Sequence, residues 1–85
     1  MRVEFASRIF YIADLDSVLL SARVGGRPVR VLVSYAALAR RFGAAGASRE
    51  HSARLAVLAN RPAIAALARE RLTAGLPPGG ELTIE

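Results

Sequence analysis

Few residues in this 85-residue chain are of types that do chemistry. It has one histidine, His51, and no cysteine, so one chain cannot assemble a multi-histidine or thiolate metal site. His51 and Ser52 are sequence neighbours that point in different directions on a helix, which argues against a nucleophile–base pair. Asp14 and Asp16 would share a side if the chain were extended there, and paired carboxylates can do acid–base work. An Asp-Leu-Asp run is also turn chemistry, in which both acids are simply solvated. Gly43 and Gly46 precede no Gly-Lys-Ser/Thr, and Gly79-Gly80 precede no helical pattern, so no phosphate loop is present. The chain reads as non-enzymatic, with no catalytic residue, no metal ligand and no cofactor.

The remaining chemical resource is arginine. All 12 basic residues are Arg, and the formal net charge is +5. Guanidinium groups suit bidentate recognition of phosphate and carboxylate. Arg23, Arg30, Arg40, Arg41 and Arg61 are therefore the candidate contacts for an anion or nucleic acid. A lysine-free chain rich in Ala and Arg is equally what a GC-rich genome encodes. No aromatic residues interleave with these arginines to stack bases. Ala39-Arg40-Arg41-Phe42-Gly43 resembles the first helix and turn of a helix-turn-helix. Arg49 stands where that motif needs a buried apolar residue, and the next cap, Ser48, is too distant for its short turn.

Val3 and Phe5 flank Glu4 and predict a first strand. Ile9–Ile12 is an apolar run that either pairs as a strand or crosses as an extended link. Ser17–Val24 and Arg27–Ser34 alternate about Gly25-Gly26, whose positive-φ tolerance suits a type I′ hairpin turn. Opposed residue numbers then sum to 51. Val18, Leu20 and Ala22 face Val33, Val31 and Val29 on one side, and Leu19 faces Leu32 on the other. That second pair is a candidate self-association surface, unless the N-terminal segment or Ile9-Phe10 folds over it.

Ser34 is a helix N-cap, followed by Tyr35, Leu38 and Phe42 on one stripe and Gly43 as the stop. Ser48 caps a second helix with Glu50 in its first turn. Pro62, after Asn60-Arg61, predicts a kink or break. Leu55 and Leu58 mark one face, and Val57, Ile64, Ala68 and Leu72 another. Pro77-Pro78-Gly79-Gly80 ends the helical part, and Leu82 and Ile84 alternate in a closing strand.

The predicted fold is α+β: a small antiparallel sheet of three to four strands with two to three helices packed on one face, in the order β-β-β-α-α-β. Residues 1–85 are expected to form a single domain. No apolar leader follows Met1-Arg2, and arginines interrupt every apolar window short of membrane-spanning length, so a cytoplasmic location without membrane contact is expected.

Several short motifs together resemble a known family. They are Val3-x-Phe5, the hairpin glycine, Ser34-x-x-Ala37-Leu38 with Phe42, Asn60-Arg61-x-x-Ile64-x-x-x-Ala68, Gly75 and Leu82-x-Ile84. The chain is similar over nearly its whole length to the small bacterial proteins catalogued as domain of unknown function 1488. The resemblance implies a compact α+β fold and no established activity, although some members carry regulator labels. The chain departs from the family pattern at Gly25 and Ala36, where acidic residues are common, and at Pro62. The expected function is a non-enzymatic binding or regulatory accessory module, a homodimer or the partner of another protein. The alternative is weak, arginine-mediated nucleic-acid binding.

Overall fold

The computed structural model describes residues 2–85. Strands β1 (Val3–Ile12), β2 (Ser17–Val24) and β3 (Arg27–Ser34) are followed by helices α1 (Tyr35–Arg41), α2 (Arg49–Ala59) and α3 (Arg61–Ala74), then by β4 (Glu81–Ile84). The sheet order is β1-β2-β3-β4. The α+β class, with helices against one face of a small sheet, is as the alternation implied.

The hairpin register follows the sequence rule, running from Ser17 opposite Ser34 to Val24 opposite Arg27. Gly25 and Gly26 take φ of 57° and 85°, the left-handed values a two-residue turn of this kind requires. Ile9–Ile12 pairs, so β1 is one long strand, but its register slips between Phe5 and Ile9 in a bulge. Asp14 and Asp16 do not lie on an extended segment. Ala13–Leu15 form a short 3-10 turn, and Asp16 closes it with φ 46°.

One expectation changes in detail. β4 runs parallel to β3, with Val31 beside Leu82 and Val33 beside Ile84, so the sheet is mixed rather than wholly antiparallel. The helices carry the chain across the sheet before β4 enters, and such a crossover returns a strand parallel to its neighbour. Pro28 lies before the β3 residues that pair with β4, so no ladder bond to β4 is asked of it.

The core forms between sheet and helices. Val18, Leu20, Val24, Val31, Val33 and Ile84 meet Leu38, Val57, Ile64 and Leu72, all under 2 % exposed. Ser34 Oγ accepts from the Ala37 N–H at 3.1 Å, and Ser48 Oγ from the His51 N–H at 3.2 Å, so both caps form. The helical run breaks at Asn60, which leaves Pro62 in the first turn of α3, where its missing N–H has no partner to lose. Asn60 Nδ2 donates to the Phe42 and Ala56 carbonyls at 3.1 and 2.9 Å, fixing the elbow against the end of α1. Leu55 and Leu58, on the face opposite Val57, stay exposed.

Candidate functional site

The helices cover one face of the sheet; the other face is where the candidate surface lies. On β2 the residues turned away from the core are Leu19, Ser21 and Arg23, and on β3 Leu32, Arg30 and Pro28. The register aligns Phe10, Leu19, Leu32 and Thr83 in a single row across all four strands. Leu32 is only 6 % exposed, yet it is the one buried apolar residue, among the described residues, that takes no part in the core cluster. Phe10 lies beside Leu19 in the row and is 41 % exposed.

The apolar row has charged neighbours. Arg8 sits with its guanidinium 5.4 Å from the centre of the Phe10 ring, a cation–π distance. The next row towards the hairpin turn is Ser21, Arg30 and Glu81. Arg30 and Glu81 form an ion pair at 2.9 Å. Beyond it Glu4 is opposite Arg23, whose guanidinium donates to the Gly26 carbonyl at 3.0 Å.

The bulge in β1 opens a groove of about 600 Å³ beside this polar row, lined by Glu4, Ala6, Ser21, Arg23, Arg30 and Gly80 among others. Gly80 forms one wall close to β3: a Cβ there would lie 3.4 Å from the Pro28 carbonyl. On the far side of the sheet, α3 secures the bulge. Arg61 donates to the Ala6 carbonyl, and the Arg69 guanidinium lies 5.2 Å from the Phe5 ring centre.

A second polar group joins the β1–β2 corner to α2. Tyr11 Oη donates to Asp16 Oδ1 at 2.9 Å, and Arg49 pairs with Asp16 Oδ2. Arg49 also stacks 4.5 Å over the Tyr35 ring, whose hydroxyl is 3.3 Å from Ser52 Oγ. The hydrogen bond to Asp16 raises the Tyr11 phenol above its ordinary pKa, with desolvation adding to it. A phenol held protonated is a donor and not a base. The cluster ties Asp16, in its left-handed backbone conformation, to two elements, and Asp14 stands apart from it, exposed. Among the described residues no group of three His, Cys, Asp or Glu side chains could hold a metal ion.

The candidate arginines fall on different parts of the surface. Arg23 and Arg30 lie on the open face, Arg40 and Arg41 at the end of α1 in the helical layer, and Arg61 at the β1 bulge. The sequence had pointed to Leu19 and Leu32 but not to Phe10, Arg8, Thr83 and Glu81. The bulge shifts the phase of β1 and hid the first two, and the partner of β4 was not readable from its own four residues. Among the described residues no helix is long and apolar enough to cross a membrane.

A model of a protein family of unknown function, DUF1488, matches residues 3–83, and the chain belongs to that family. A crystal structure of a protein of unknown function from the same family, from Shewanella loihica PV-4, superposes with a TM-score of 0.81. It is 13 % identical, and the match covers 98 % of this chain and 91 % of that one. At that identity the likeness speaks to the fold alone. No curated protein matches.

Proposed function

We propose that this member of the DUF1488 family is a non-enzymatic binding module, with a regulatory or accessory role, that acts through the open face of its sheet. The observation carrying the reading is the aligned row Phe10–Leu19–Leu32, an apolar strip on the one sheet face that no helix covers. A strip of this kind supplies desolvation, which is non-directional. The flanking Arg8, Arg30 and Glu81 supply orientation, since mismatched charges disfavour a wrong register. The bulge of β1 and the short β4 discourage strand addition at the sheet edges, leaving the face as the larger surface.

Site-specific photocrosslinking in living cells tests this. A photoreactive residue in place of Phe10 is expected to give a discrete covalent adduct, and one in place of the equally apolar, exposed Leu55 is expected to give none. Absence of any adduct from the Phe10 position, or the same adducts from both, would overturn the reading.

A further inference from the structure

We infer that the partner on the open face is a second copy of this chain, packed sheet to sheet about a two-fold axis that runs parallel to the strands midway between β2 and β3. The inference rests on the reading of that face as a binding surface. A symmetric dimer needs a surface complementary to itself, so each residue must meet a suitable partner when the face is turned over. The axis named here lays β2 on the partner's β3 and β1 on the partner's β4. Within the apolar row, Leu19 then meets the partner's Leu32, and Phe10 meets the partner's Thr83.

Charge distinguishes this axis from the alternative. Arg8 lies in the β1 bulge, level with Ser21, Arg30 and Glu81, so positive charge stands at the β1 edge of the polar row and negative charge at the β4 edge. Turning the face over about the strand direction sets Arg8 against the partner's Glu81. A two-fold perpendicular to the strands would instead lay β1 on β1: centred on the apolar row it leaves Arg8 level with the partner's Ile12, and centred to bring Arg8 to the partner's Glu4 it carries the apolar row off its counterpart. Glu4, level with Arg23, falls beyond the paired length of β4 and meets no like charge there. Two aligned sheets pack within about 30° of one another, close enough for these rows to meet near the axis.

Three strands about eight residues long and the four-residue β4, about 4.8 Å apart at about 3.3 Å per residue, present on the order of 400 Å² of plane. That is below the roughly 800 Å² per partner of a standard interface, so the dimer should be concentration-dependent and not permanent.

Light scattering on the purified chain should give a mass rising towards twice the 9.0 kDa monomer between micromolar and several hundred micromolar protein. Arg8→Glu should weaken the dimer at least tenfold, and Arg8→Glu with Glu81→Arg should restore it; both side chains are exposed, and Glu81→Arg alone controls for loss of the ion pair that Glu81 makes with Arg30. Because the chain has no cysteine, Phe10→Cys and Thr83→Cys variants, both at exposed positions, can be mixed under oxidation, and the mixed disulfide should exceed either like-with-like product. A monomer mass throughout, failure of the charge swap to restore association, or a dominant Phe10→Cys homodimer would each overturn the proposal. An adduct from the Phe10 position to a different protein, with a monomeric purified chain, would overturn the second-copy partner while leaving the open face as a binding surface.

Discussion

The Arg61 guanidinium donates to the carbonyl of Ala6, tying the first turn of α3 to the bulge in β1 across 55 positions of chain. The one charged residue singled out from the family motif thus holds the fold at the place where β1 loses its pairing with β2. Arg61→Ala should lower stability by about 1 kcal/mol, the net worth of an intramolecular hydrogen bond. Denaturant unfolding checks this. A neutral substitution would return Arg61 to the pool of free cationic groups.

The cap at Ser34 turns the chain from β3 into α1 through one hydrogen bond to Ala37. Ser34→Ala should cost about 1 kcal/mol and Ser34→Asp much less, because an aspartate also caps. Thermal unfolding of the two variants separates loss of the cap from loss of a small polar side chain.

Pro62 stands in the first turn of α3 and not inside a continuous helix. Pro62→Ala should therefore lower stability, by about 0.4–1 kcal/mol, since the proline restricts the unfolded chain at no cost to the folded one. A gain of about 3 kcal/mol, the penalty for a proline within a helix, would contradict the break at Asn60.

Tyr11 supplies a pH dependence whose sign is fixed. Its phenol pKa is raised, chiefly by the hydrogen bond to Asp16. The folded state therefore holds the proton more tightly than the unfolded chain. The stabilisation is fully present below the unfolded phenol value of about 10 and is lost as pH rises through the higher folded value. Ultraviolet titration should show this phenol ionising at lower pH in Asp16→Asn than in the parent.

The arginines bear on nucleic acid. Arg49, Arg54, Arg30 and Arg2 are paired with acids, and Arg23, Arg61 and Arg71 donate to backbone carbonyls. With Arg40 and Arg41 on the helical layer and Arg23 and Arg30 on the open face, the five candidates do not line one track. Fluorescence anisotropy with duplex DNA should find nothing tighter than non-specific binding, about 10⁻⁴–10⁻⁶ M at physiological salt. Tighter binding that Arg40→Ala and Arg41→Ala abolish would contradict this.

What could be read from the residues was local. The Gly25-Gly26 turn and period-two alternation set the β2–β3 register, because a one-residue slip would have turned Val18, Leu20 and Val31 to solvent. The caps at Ser34 and Ser48 and the break before Pro62 were likewise written within a few residues. The direction of β4 was not, since Leu82 and Ile84 alternate identically whichever way the strand runs. The bulge of β1 depends on Arg61 and Arg69, more than fifty residues away, and Asp16 finds Arg49 only through the tertiary fold. The same holds for the candidate surface. Leu19 and Leu32 were visible as a pair, but the row containing Phe10 and Thr83 exists only once four strands align.

The most direct test of the open face is solvent exposure of side chains, measured by NMR with a soluble paramagnetic probe as the protein is concentrated or given its partner. The account predicts that the Phe10 ring and Leu19 methyl signals become protected, while Leu55 and Leu58 remain accessible. Protection of Leu55 and Leu58, with Phe10 and Leu19 still open to the probe, would contradict it and move the binding surface to α2.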